Sequence, residues 1–112
     1  MIIHQYKKNN CKFAIFNGRI SFSSDISDLK DIINEAIADG AQRVAIRFPE
    51  ESLLGPEAIG SIVSSAHLLD EAGKKFVLIA PTDQILSVIR DFKMEPYITI
   101  ADSESSACNS SA

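Results

Sequence analysis

Three times along this chain, a short apolar run of strand length gives way to a run with helical periodicity. Cys11 to Phe16 is followed by Ile26, Leu29, Ile32, Ile33, Ala36 and Ile37 at three- and four-residue steps. Val44, Ile46 and Phe48 are followed by Ile59, Ile62, Val63, Ala66 and Leu69. Phe76 to Ala80 is followed by Ile85, Val88, Ile89 and Phe92. A hydrophobic period near two marks a strand, and one near 3.6 marks a helix. Their alternation implies parallel strands joined by right-handed crossovers, with helices packed against a sheet. Phe76 to Ala80 is apolar without a break, the pattern of a strand buried on both faces.

The remaining segments fit around this alternation. Ile2 to Lys7 alternates apolar and polar residues, and Asn9-Asn10 is turn chemistry, so the chain opens with a hairpin onto Cys11–Phe16. Asn17-Gly18 is a second turn signal, Ile20 to Phe22 has the length of a short third strand, and Ser23, Ser24 and Asp25 are candidate caps for the first helix. Gly40 after Asp39 suits the left-handed residue that closes a helix. Pro56 opens the second helix at the position where its missing N–H costs nothing, and Gly73 stops it. Thr82 or Asp83 caps the third helix, and Tyr97 to Ile100 is a last strand. The expected fold is a single α/β domain over residues 1–102. It has a small mixed sheet of four to five strands, an N-terminal hairpin and three to four helices packed against it. Residues 103–112 are rich in Ser and Ala and lack large apolar groups. Such a tail buries too little to offset its ordering entropy and is expected to be disordered, apart from a short helical turn near Asp102 to Ser106.

Composition narrows the function. At 112 residues the chain is long enough for one core. No apolar run is long enough to cross a bilayer, so no membrane insertion is expected. The opening MIIHQYKKNN lacks the apolar region of a signal peptide, so a cytoplasmic location is expected. The net charge is −4 and the eleven Lys and Arg are scattered, which argues against nucleic acid as a partner. Cys11 in a strand and Cys108 in the tail make neither a disulfide framework nor a metal cluster. His4 and His67, the only histidines, have no nucleophile or second ligand beside them in the pattern. No phosphate loop, CxxC pair or HExxH appears. Glu50-Glu51 and Asp70-Glu71 are sequence neighbours that read as solvated charge. The expectation is a non-enzymatic protein with no cofactor and no metal.

The most informative stretch runs from Arg43 to Ala66, where a strand empties through the loop Pro49–Gly55 onto a helix start. Open α/β proteins usually place their binding chemistry at such points. Leu53 and Leu54 are apolar without periodic reason: one reads as a staple tucked under the helix, the other as an exposed contact. Ser61, Ser64 and Ser65 fall off the expected buried stripe, as a partner-facing surface or as an ordinary solvated face.

The element order and lengths resemble the STAS domain, the fold of bacterial anti-sigma factor antagonists and of the cytoplasmic end of sulfate transporters. The resemblance covers about Ile2 to Asp102. Asn17-Gly18-Arg19-Ile20-Ser21-Phe22 looks like the family's Gly-x-Leu-Asp-Phe segment, with Ser21 in place of the Asp. Arg43 to Phe48 looks like its central strand, and Gly73 to Pro81 is similar to the strand after the second helix. Gly55-Pro56-Glu57-Ala58-Ile59-Gly60 falls where the family has Asp-Ser-Ser-Gly-Leu-Gly. The resemblance implies a switch in which a partner kinase phosphorylates a serine at this helix start, the phosphate blocks binding, and a phosphatase restores it. That serine falls on Glu57, which has no hydroxyl. Glu57 is therefore either a permanent imitation of phosphoserine or an ordinary first-turn acid favoured by the helix dipole. Ser52, just upstream, is the alternative phosphosite.

The resemblance thus implies a regulatory interaction module, without the usual switch, that is a monomer or weak dimer. The implied partner is an anti-sigma factor or histidine-kinase-like ATPase, with a phosphatase as a second partner. The expected partner-binding residues are Leu53, Leu54, Gly55, Pro56, Glu57, Ser61, Ser64 and Ser65. The alternative is a STAS-like accessory subunit of a transport complex or another multi-protein assembly.

Overall fold

The computed structural model describes residues 2–17, 26, 28–50 and 52–109. Nine elements follow among them, in the order β1 (Ile2–Lys8), β2 (Cys11–Asn17), α1 (Asp28–Ala38), β3 (Arg43–Arg47), α2 (Pro56–Glu71), β4 (Lys75–Ile79), α3 (Asp83–Asp91), β5 (Ile98–Ala101) and α4 (Glu104–Asn109). The expected strand at Ile20–Phe22 and the caps at Ser23, Ser24 and Asp25 lie outside the described residues.

The strands form one five-stranded sheet in the order β1-β2-β3-β4-β5, which is also their order along the chain. β1 and β2 are antiparallel, and every later pairing is parallel. Asn9 and Asn10 make the two-residue turn between β1 and β2, with φ of 52° and 65°. Asparagine tolerates that left-handed region better than most residues, and two such residues in a row are what a tight hairpin needs.

Each crossover helix carries the chain one strand further in the same direction. Crossovers of one hand then set α1, α2 and α3 on one face. That face is built around Val44, Ile46, Phe76 and Leu78 from the strands, Leu29 and Ile33 from α1, Ala66 and Leu69 from α2, and Ile85 and Ile89 from α3. Alternate strand residues point the other way. Cys11, Phe13, Ala45, Val77, Ile79 and Ala101 form a second buried layer, closed by Ala107 of α4. β4 is thus buried on both faces, as its unbroken apolar run requires.

The helix ends repeat one device. Gly40 has φ 81°, and Ala41 N–H reaches back to the Ala36 carbonyl at 3.0 Å. Gly73 has φ 72°, and Lys74 N–H donates to the Leu69 carbonyl at 2.8 Å. These are six-to-one closures around a left-handed residue. After α3 the same closure, Met94 N–H to the Ile89 carbonyl at 2.9 Å, is built around Lys93 at φ 55°. Thr82 caps the start of α3, its Oγ1 accepting from Ile85 N–H at 3.4 Å.

Two expectations need correction. Phe92 does not join the inner stripe of α3; it caps the last turn and stands 53% exposed. Residues 110–112 of the expected tail lie outside the described residues. In a stretch expected to be mostly disordered, the short helical turn expected near Asp102 to Ser106 is instead a six-residue helix over Glu104–Asn109. A reciprocal serine cap explains its start: Ser103 Oγ accepts from Ser106 N–H at 3.2 Å, and Ser106 Oγ accepts from Ser103 N–H at 3.1 Å. The sheet supplies the rest. Ala107 is fully buried, and its carbonyl accepts from Arg43 Nη1 at 3.3 Å. Glu104 accepts from the Tyr6 hydroxyl and lies 3.8 Å from Arg47 Nη1. A small residue in the right place, rather than a large apolar one, is what anchors this helix.

Candidate functional site

The candidate site lies where β3 runs out through Phe48–Gly55 into α2. Phe48 is buried against Phe16 with ring centroids 5.0 Å apart, so the loop leaves the sheet from a fixed point. Ser52 N–H donates to the Pro49 carbonyl at 3.1 Å, which turns the loop back towards the helix. Leu54 is then buried in the core while Leu53, its neighbour, stands 49% exposed. Leu54 thus takes the inward position expected of one leucine, and Leu53 the exposed position expected of the other.

α2 begins without a side-chain cap. Gly55 is the N-cap in extended conformation, Pro56 is the first helical residue, and the Ile59 N–H to Gly55 carbonyl bond at 2.9 Å is the first of the helix. The positive end of the helix is therefore complemented by one acid in the first turn, Glu57. Both Pro56 and Glu57 are exposed. A carboxylate in this position gains about 0.3–1 kcal/mol from the helix dipole.

The outward face of α2 continues from Glu57 through Gly60 and Ser61 to Ser64. Gly60 is exposed with open space above it, and Ser61 and Ser64 are half-buried. This face carries small side chains, so another chain can approach its backbone closely. Three of the expected partner-binding residues, Leu54, Gly55 and Ser65, are buried within the domain and are not part of its outward surface. Ser65 turns inward because the buried stripe of α2 is Ala58, Ile62, Ser65, Ala66 and Leu69. Small residues at 58, 65 and 66 let the helix sit close to the sheet and to α1. Ile59 and Val63, expected on the stripe, flank it half-buried. Ser52, the alternative phosphosite, is also buried, and neither its hydroxyl nor that of Ser65 has a hydrogen-bond partner among the described residues.

Beside the loop, at the ends of β2 and β3, an open groove of about 330 Å3 is lined by Ile15, Asn17, Arg47, Glu50 and Ala80, among others. Arg47 brings a cation to this groove and shares it with Glu104 of α4. Ala80 adopts φ 46°, a left-handed conformation that costs a non-glycine residue about 1–2 kcal/mol. Its N–H is held by the Ala101 carbonyl at 2.7 Å. Among the described residues no group of three His, Cys, Asp or Glu side chains is arranged to hold a metal ion. His67 packs on Tyr97 at 4.9 Å between ring centroids, and His4 on Tyr6 at 5.5 Å. The Tyr6–Glu104–Arg47 cluster was not legible in the sequence, because its members lie on β1, β3 and α4. The paired serines at 103 and 106 were the one local signal for it.

No protein-family model matches the sequence, and no curated protein does either. Solved structures do match. The crystal structure of TM1081 from Thermotoga maritima, described as a candidate anti-sigma factor antagonist, aligns with a TM-score of 0.79 at 15% identity, over 96% of this chain and 92% of that one. SpoIIAA of Bacillus in its phosphorylated form aligns with a TM-score of 0.74 at 15% identity, over 99% of this chain and all of that one (100%). The anti-sigma factor antagonist SpoIIAA in its unphosphorylated form aligns with a TM-score of 0.71 at 15% identity, over 97% and 96%.

The chain has the STAS-like fold of the anti-sigma factor antagonists. The likeness runs over 96% to 99% of this chain. No described helix is long and apolar enough to cross a membrane.

Proposed function

We propose that this chain is a non-catalytic regulatory module that binds a protein partner through the start and outward face of α2. The observation that carries the reading is Glu57, an exposed fixed carboxylate in the first turn of a helix that has no side-chain cap. Leu53 supplies an apolar contact beside it, and Pro56, Ser61 and Ser64 complete a surface low enough for close approach. The partner is of the class that such antagonists engage, an anti-sigma factor or a histidine-kinase-like ATPase.

In this reading the module lacks a serine switch at the helix start. A phosphate there would carry about −1.5 to −2 charges and three acceptor oxygens, and a carboxylate carries −1 and two. Glu57 therefore reproduces part of the electrostatic effect of phosphorylation at all times. In this reading the carboxylate, like the phosphate it imitates, opposes the partner's approach to the helix start, so the partner is held less tightly than it would be without it. Control of binding then resides in the partner. The buried hydroxyl of Ser52 does not offer a substitute phosphosite without opening the loop.

The test is capture of partners from the native cell with the wild-type chain beside Glu57→Ser, Glu57→Ala and Leu53→Asp. The reading expects a kinase-fold partner whose capture is abolished by Leu53→Asp and strengthened by both Glu57 substitutions. Equal capture by Glu57→Ser, Glu57→Ala and the wild type reduces Glu57 to a helix-start residue. Capture of a transport-complex subunit, insensitive to Glu57, favours an accessory subunit of that assembly.

A further inference from the structure

At the β5 edge of the sheet, the structure presents a strand paired on one side only, an apolar groove and a charge pattern that complements itself. Among the described strands β5 is the last of the sheet and has β4 on one side only. Its orientation follows from two hydrogen bonds. The Ala101 carbonyl accepts from Ala80 N–H at 2.7 Å, so Ala101 and, by alternation, Thr99 turn their backbone groups towards β4. Ile98 N–H is engaged by the Met94 carbonyl at 3.1 Å. The N–H and C=O of Ile100 are therefore directed to the open edge. The Ile100 side chain is 44% exposed there.

Above this edge, α3 and β5 enclose a groove of about 290 Å3 lined by Leu86, Ile89, Ile98 and Ile100, with Arg90 and Glu95 at its rim. Along the flank of α3, Asp83, Leu86 and Arg90 fall at i, i+3 and i+7, on one face of the helix. Asp83 and Arg90 are exposed, and Leu86 is half-buried between them. Arg90 is held upright along the helix by a contact from Nη2 to Ser87 Oγ at 3.4 Å. The flank thus reads acidic, apolar, basic.

We infer that this edge is the interface of a two-fold symmetric dimer, in which β5 pairs antiparallel with β5 of a second copy. A two-fold axis through the edge exchanges the N–H···O=C bonds of Ile100 reciprocally and continues the sheet across both copies. It also sets the two α3 flanks antiparallel on one face. Asp83 then meets Arg90 of the second copy, Arg90 meets its Asp83, and the two Leu86 side chains close the apolar middle. An isologous interface requires a patch that complements itself under rotation. The Asp83–Leu86–Arg90 flank meets that requirement with its charges, and the Ile100 backbone meets it with one donor and one acceptor. The interface uses α3 and β5, not the α2 surface proposed above, so a dimer leaves that surface free.

The experiment is analytical ultracentrifugation of the full chain over a concentration series into the millimolar range. Asp83→Lys, Arg90→Glu and Ile100→Lys are run beside the wild type, and circular dichroism checks that each is folded. The wild type is expected to dimerise. Each charge reversal alone opposes like charges and should weaken self-association about tenfold or more. An equimolar mixture of Asp83→Lys and Arg90→Glu should restore it. In the mixed dimer the introduced lysine of one copy faces the introduced glutamate of the other, and the unaltered Arg90 faces the unaltered Asp83. Ile100→Lys, which places a charge on the strand edge, should leave a folded monomer. A wild type that stays monomeric throughout overturns the proposal. So do single reversals that dimerise like the wild type, or a mixture that fails to associate.

Discussion

Ser65 is the residue whose role the sequence conceals most. Its hydroxyl is fully buried on α2 without a partner among the described residues, so it was desolvated on folding with no bond in return. Leaving such a group unsatisfied costs about 1–3 kcal/mol. Ser65→Ala is therefore expected to be neutral or to stabilise the domain by about 1 kcal/mol. Urea denaturation measures it, and a loss of similar size would show that the hydroxyl has a partner after all. Lys93 poses the complementary case. It holds φ 55° at the position that Gly40 and Gly73 occupy after α1 and α2. Lys93→Gly removes the clash of a side chain in the left-handed region and is expected to stabilise by about 0.5–1 kcal/mol, again by denaturation midpoint. Asn9-Asn10, Gly40 and Gly73 were legible from the sequence because turn chemistry is local. Ser65 was not, because a serine on a helix reads as solvated unless the closeness of the sheet is known.

α4 is the element at which composition misleads. Its residues are small and polar, and nothing in Glu104–Asn109 has the mass to drive burial. Order comes from outside: from Arg43 on its last turn, from Tyr6 and Arg47 on Glu104, and from a sheet face that holds Ala107. Tyr6 itself is set by stacking on Phe13, with ring centroids 4.6 Å apart and planes 3° from parallel. Ala107→Asp puts a carboxylate against this apolar layer and is expected to release α4, at a cost of about 2–4 kcal/mol. Hydrogen exchange reads the difference: amides of α4 should lose protection while those of β3 and β4 keep theirs. By contrast the helix–strand alternation was legible throughout, because α1, α2 and α3 each carry large residues at helical spacing. The start of α2 was equally legible from Pro56, yet the burial of Leu54 beside the exposure of Leu53 depended on how the loop turns at Pro49.

For the whole molecule, the two buried layers share the same strands, so neither can unpack without the other losing its support. Val77 and Ile79 face α4 while Phe76 and Leu78 face α1, α2 and α3. Thermal unfolding of the intact chain is expected as a single transition with a heat-capacity change of about 1.3–1.7 kcal/mol/K, measured by calorimetry. Phe76→Ala, at the centre of the larger layer, should cost about 3–5 kcal/mol and shift that transition as a unit. The sheet order has a further consequence for how the protein is made. Strand follows strand in space as in sequence, so each new strand leaving the ribosome has its neighbour already in place. The three crossover helices arrive in step and cover one side as it grows. The other side waits, because α4 is synthesised after every described strand. Until then Ala45, Val77 and Ile79 lack the cover that Ala107 completes, and the nascent chain is at its most adhesive just before α4 docks.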